Sequence, residues 1–176
     1  MTVLSTRALN RATLARQLLL DRVDLPVLDA VGHLCGLQAQ QPQEPFVGLW
    51  SRLHGFAPET LSDLLVQRRV VRTHLMRRTV HLPDAPRPDP DTPAPVRFLP
   101  AFDNALLGYD DRTRVADDAH RLLSVTGTRV VLVDGRVSAT WTVADDAVAV
   151  TPLRTFTRAE RSAVAQEADR LTEFLT

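Results

Sequence analysis

Four glutamines fall within six residues, Gln38, Gln40, Gln41 and Gln43, in the segment Gly36-Leu37-Gln38-Ala39-Gln40-Gln41-Pro42-Gln43. A glutamine amide does not titrate near neutrality; its carbonyl oxygen accepts hydrogen bonds and its NH₂ donates them. Such groups can orient a water molecule, but they do no acid–base chemistry themselves. Gln38 and Gln40 are two apart, so extended backbone after a helix would allow both side chains to point into one cleft, where they could share a single water. The same segment also fits a polar loop whose amides close the ends of neighbouring helices.

A second cluster is cationic. Arg68, Arg69, Arg72, Arg77 and Arg78 lie within eleven residues that contain no acid. All the basic residues are arginine, whose planar fork suits phosphate, so the cluster can meet a nucleic-acid backbone or form a solvated face paired with residues such as Asp63. His74 and His81 read as packing residues, and Trp50 and Phe46 at helical spacing read as core. Asp103, in Leu99-Pro100-Ala101-Phe102-Asp103-Asn104, caps a turn or pairs with Arg112 or Arg114. Cys35 is the only cysteine; no disulfide is available to it, and it reads as a small buried hydrophobe. Five histidines without paired cysteines give no zinc spacing. No GxGxxG or GxxxxGK is present, so neither a cofactor nor a metal is expected.

These groups must be positioned by two unlike stretches of chain. Residues 1–83 hold ten arginines against six acids, a net of four positive charges; residues 84–176 hold eleven against fifteen, a net of four negative charges. Six of the twelve prolines lie between Pro83 and Pro95, a composition that suits a stiff, extended linker. The expected organisation is an N-terminal unit over 1–82, a linker over 83–96 and a C-terminal portion over 97–176. No apolar run is long enough to span a membrane, and the N-terminus lacks a secretory layout, which predicts a soluble cytoplasmic protein.

In the first unit, Ser5 or Thr6 caps a helix reaching about Arg22, with Ala8, Ala12, Ala15 and Leu19 inward. Pro26 opens a second helix carrying Val27, Val31 and Leu34, with Gly36 as its stop. A third covers about Glu44 to His54 with Phe46, Leu49 and Leu53 inward, and Pro58 opens a fourth through Leu61, Leu64 and Leu65. The stretch VVRTHLMRRTVHL then reads as two strands turning near Arg77-Arg78. Helices ending in a basic hairpin outline a winged helix, a helix-turn-helix variant.

The second portion alternates as strands over Thr128–Val133 and Arg136–Val143 around Asp134-Gly135, a strong hairpin signal. Val148 to Leu153 adds a third strand. Thr157 and Glu160 form a capping box for a last helix with Val164, Ala168, Leu171 and Leu175 on one face. The expected class is α+β: a winged helix joined to a small portion of β-hairpin and helix.

The segments GLQAQQP, FVGLWSRL and VRTHLMRRTVHL resemble the first winged helix of the AlkZ/YcaQ-type DNA glycosylases. RFLPAFDNALLGYDDRTRV and VLVDGRVSATW resemble the C-terminal part of the same proteins. The resemblance implies tandem winged helices that present a basic surface to double-stranded DNA, and excision of alkylated purines or opening of interstrand cross-links. It places the catalytic Gln-x-Gln on Gln38 and Gln40, in a protein of the bacterial nucleoid. Here the part that separates the hairpin from the C-terminal portion in the family is absent, so the chain is a shortened form.

The chemistry agrees with the glutamines. An ordinary purine is a poor leaving group that needs an acid. A purine alkylated at N7 or N3 already carries positive charge and needs mainly a placed water. The expected activity is therefore monofunctional, cofactor-free hydrolysis of the N-glycosidic bond. DNA contacts are expected from Arg68, Arg69, Arg72, Arg77, Arg78, Arg112 and Arg114. The alternative is a DNA-binding or interaction module that keeps the fold without the reaction. An unpaired winged-helix face would also favour a second copy of the chain as partner.

Overall fold

The computed structural model describes residues 5–72, 88–108, 111–123 and 125–176. Among these, helix and sheet are segregated along the chain, as in an α+β protein. Helices α1 (Thr6–Arg16), α2 (Val27–His33), α3 (Glu44–Trp50) and α4 (Pro58–Val66) come first, then strand β1 (Arg97–Leu99) and the short helix α5 (Asn104–Leu107). Strands β2 (Val130–Val133), β3 (Arg136–Ala144) and β4 (Ala147–Pro152) and helix α6 (Arg158–Leu175) complete it. The sheet is antiparallel throughout, in the order β1-β2-β3-β4.

Local sequence explains much of this. The β2–β3 turn places Asp134 at φ 50° and Gly135 at φ 76°, and the β3–β4 turn places Asp145 and Asp146 at φ 51° and 59°. Two successive residues with positive φ make the type I′ turn whose twist matches paired strands. Ser5 accepts from Ala8 N at the start of α1. At α6 both bonds of the capping box are made: Thr157 N donates to Glu160 Oε2 (2.8 Å) and Glu160 N to Thr157 Oγ1 (3.2 Å).

Both faces of the sheet are covered, which is why β2 reads as an unbroken apolar run. Val130, Leu132, Val137 and Leu99 pack with Leu14, Leu19, Leu20, Leu106 and Val115. Val131, Val133, Phe98, Ala139 and Trp141 pack with Val47 from α3 and with Val164, Ala168 and Leu171 from α6. A third cluster, Val27, Ala30, Leu49, Leu53, Leu61 and Leu64, joins α2, α3 and α4. The first two clusters draw residues from both sides of the proline-rich segment. Residues 88–96 are themselves tied down: Thr92 O accepts from Arg11 Nε at 2.8 Å, and Ala94 and Val96 pack against the two faces.

Several expectations change. The first helix ends at Arg16, and its buried side is Asn10, Arg11, Thr13 and Leu14 rather than the alanine stripe, because its partners are polar. Asn10 Nδ2 donates to Arg114 O and Gly135 O, both at 2.8 Å, and Arg11 donates to Asp134 O and pairs with the Asp134 carboxylate. A side chain at Gly135 would place Cβ 2.5 Å from Asn10 Oδ1 and 2.6 Å from Leu14 Cδ1, so only glycine lets α1 approach this turn. Leu65 remains exposed. Cys35 is exposed, not buried, because it sits at φ 56° in the turn leaving α2. The strands expected within 70–82, the wing of the winged helix, lie outside the described residues from 73 onward. Among the described residues no helix is long and apolar enough to cross a membrane.

Candidate functional site: a braced glutamine segment

The glutamines occupy irregular backbone between the end of α2 and the start of α3. After α2 the chain turns back, with Cys35 N donating to Gly32 O (3.0 Å) and Gly36 N to Val31 O (2.9 Å). Leu37 then packs over Gly48 of α3: a Cβ on Gly48 would lie 3.0 Å from Leu37 Cδ2, so the glycine admits this close approach. Gln38 and Gln40 are both exposed, and Gln38 Nε2 donates to Gln40 Oε1 at 3.4 Å. The backbone bends at Gln40 and Gln41, and Gln41 O and Gln43 O accept from Glu44 N (3.2 Å) and Phe46 N (3.1 Å) as α3 begins.

Three braces fix this segment, each through a partner distant in sequence. At its start, Asn104 Nδ2 donates to Gly36 O at 2.8 Å and to Leu34 O at 3.4 Å. In its middle, Arg72 Nε donates to Ala39 O at 2.6 Å and Arg72 Nη2 to Gln40 O at 2.8 Å. At its end, the buried Glu44 accepts from Ala101 N at 2.7 Å and from Arg129 Nε and Nη2 at 2.9 and 2.5 Å. The Arg129 guanidinium also lies 4.9 Å from the centre of the Trp141 ring. Both oxygens of the Glu44 carboxylate are thus engaged.

Asn104 is itself held. Asp103 caps α5 by accepting from Ala105 N (2.8 Å) and forms a buried ion pair with Arg52 Nη2 (2.8 Å). Arg52 further donates to Gln17 O (2.8 Å) and Gly48 O (2.9 Å). The expected cap is present, but the ionic partner of Asp103 is Arg52 and not Arg112 or Arg114. The reason is long-range packing: α3 delivers Arg52 against the loop before α5, whereas Arg112 donates to Leu106 O at 3.0 Å.

The cationic residues divide. Arg68 and Arg69 are exposed after α4, with Arg68 at φ 57°, and Arg72 follows them with its guanidinium on the glutamine segment. Arg112 and Arg114 are half-buried in the loop after α5. Arg77, Arg78, His74 and His81 lie outside the described residues. The structure thus brings Gln38, Gln40 and Arg72 together. Glu44, Asn104 and Arg129 were missed by sequence reasoning; an acid in the first turn of α3 gives no sign of partners so far along the chain. Among the described residues no group of three or more His, Cys, Asp or Glu side chains could hold a metal ion.

The sequence model of the DNA glycosylase AlkZ-like family matches residues 31–83 and 81–174. No curated protein and no solved structure matches the chain. The family match runs through the glutamine segment, its braces, the sheet and most of α6, and the chain therefore belongs to the DNA glycosylase AlkZ-like family, a group whose name places it in DNA repair with DNA as its partner.

Proposed function

We propose that this chain binds duplex DNA through a winged-helix face and hydrolyses the N-glycosidic bond of a purine alkylated at N7 or N3, with Gln38 and Gln40 placing the water. The observation that carries the reading is the meeting of the two amides on an exposed, braced bend. With Gln38 Nε2 donating to Gln40 Oε1, the Gln38 carbonyl oxygen is left to accept from a water and the Gln40 NH₂ to donate to it. The cationic base leaves with the glycosidic electron pair and becomes neutral. The water oxygen bonds to C1′ and releases its proton to solvent. No acid is required, which suits a site whose adjacent carboxylate is engaged by Arg129 and Ala101.

In this reading Arg68 and Arg69, with Arg77 and Arg78, supply phosphate contacts that position the duplex without reading its sequence. Arg112 and Arg114 contribute at most a rim. One observation favours a second reading. The family match falls in two pieces that overlap at 81–83, as expected of a shortened chain; the second reading is a module that keeps DNA binding without the reaction.

Gel shift and single-turnover base release on one duplex carrying N7-alkylguanine separate the two. Gln38→Ala or Gln40→Ala should slow release about 10- to 100-fold, the order expected from misplacing a reacting group, and leave binding nearly unchanged. Gln40→Asp should retain or raise the rate, because a carboxylate orients the same water and can take its proton. The parent rate should be flat across neutral pH. If the parent binds and releases no base, the module is the correct reading.

A further inference from the structure

We infer that Arg72 is a positioning residue for the glutamine pair, acting through the backbone of Ala39 and Gln40, and not a phosphate contact; this rests on the catalytic reading of Gln38 and Gln40 above. In extended chain, successive carbonyls point to opposite sides. One guanidinium that bonds the carbonyls of two adjacent residues, at 2.6 Å to Ala39 O and 2.8 Å to Gln40 O, holds both peptide planes turned to the same side. The backbone bends at that place, at Gln40 and Gln41.

Turning those planes sets the direction of the Gln40 side chain and with it the 3.4 Å contact to Gln38. The planar fork of arginine is well matched to two neighbouring carbonyls, since Nε and Nη2 lie in one plane and two bonds fix both distance and orientation. A lysine ammonium at the same place would reach one carbonyl without fixing its plane. Arg72 is exposed like Arg68 and Arg69 on the same stretch of chain, but its Nε and Nη2 donors are committed to the loop.

The test compares Arg72→Ala and Arg72→Lys with the parent in three measurements: base release, the salt dependence of DNA affinity, and hydrogen exchange of the amides of residues 37–43. Positioning predicts that Arg72→Ala slows release about tenfold and Arg72→Lys restores only part of it. In the Gln40→Ala background, Arg72→Ala should add less than about twofold, since residues acting as one unit are not additive. The slope of log affinity against log salt should match the parent, and the 37–43 amides should exchange faster while those of α3 do not. A slope lowered by about 0.9, the signature of one lost phosphate contact, overturns the assignment, as do loop amides that exchange at the parent rate. Exchange and slope are read without turnover. If the parent releases no base, the catalytic reading fails alone and these two measurements still decide the role of Arg72.

Discussion

Replacing Asp103 with asparagine changes a charge and almost nothing else. Asparagine caps a helix as well as aspartate does, so the bond from Ala105 N survives and the volume is preserved. What disappears is the countercharge of Arg52, whose side chain is 0% exposed against 1% for Asp103. The remaining contacts of Arg52, to the carbonyls of Gln17 and Gly48 and to Ser51 Oγ, are neutral dipoles. Removing one partner of a buried pair costs about 3–5 kcal/mol, because the survivor keeps its desolvation without its attraction. For a chain of this size each kcal/mol lowers Tm by about 2–4 °C, so Asp103→Asn should melt about 6–20 °C below the parent. Arg52→Met also destabilises, since it takes the donor from Gln17 O, while Gly48 O keeps Ser51 Oγ. In that background, however, Asp103→Asn should cost less than about 1 kcal/mol, because no buried charge is left to abandon. Thermal melts by circular dichroism, with urea midpoints at unchanged slope, complete the cycle. A drop of less than about 2 °C in the single variant would show that the guanidinium charge is balanced without Asp103 and would refute the reasoning.

Two further outcomes follow from the geometry. Glu160 is held down to about 2, first by the Arg154 guanidinium and then by Thr157 N, against an ordinary 4.5. A carboxyl depressed in the folded state adds stability above its unfolded value and loses it as pH falls from about 4.5 toward about 2, so the Tm gap between parent and Glu160→Gln should be constant near neutrality and close in that window; a gap undiminished at pH about 2 would contradict it. Exposed at φ 56°, Cys35 should react with a maleimide in the native protein as fast as in urea, and protection lifted only by denaturant would place the thiol inside.

What the sequence disclosed was largely local. The Asp134-Gly135 turn, the capping box of α6 and the Ser5 cap each depend on residues a few positions apart, and the structure carries all three. The face of α1 was misread because alanines at helical spacing resemble an apolar stripe, whereas the face that packs is chosen by Arg114, Asp134 and Gly135, more than a hundred residues away. The site divides in the same way. The i, i+2 spacing allowed Gln38 and Gln40 to point into one cleft; in the structure their amides meet at 3.4 Å on an exposed bend. The braces could not be read: Asn104 and Glu44 acquire their partners only when the loop before α5 and the strand edge at Arg129 are brought against α3. Asp103 stood out as a capping residue, yet its ionic partner came from the other side of the proline-rich segment.

The fit of α1 against the β2–β3 turn bears on the order in which the molecule assembles. Asn10 and Arg11 recognise carbonyls and a carboxylate that converge only once Asp134 and Gly135 have adopted left-handed backbone between paired strands. Before that turn exists, α1 lacks the carbonyls and carboxylate that Asn10 and Arg11 bind, and of its buried side only Leu14 is apolar enough to join a hydrophobic collapse. The loop that its docking closes spans about 125 residues, so the entropic cost falls due before any of these bonds can form. Docking of α1 is therefore expected to come late in folding. Substitutions at Asn10 or Gly135 act on the downhill side of the folding barrier, accelerating unfolding while leaving the rate of folding almost unchanged.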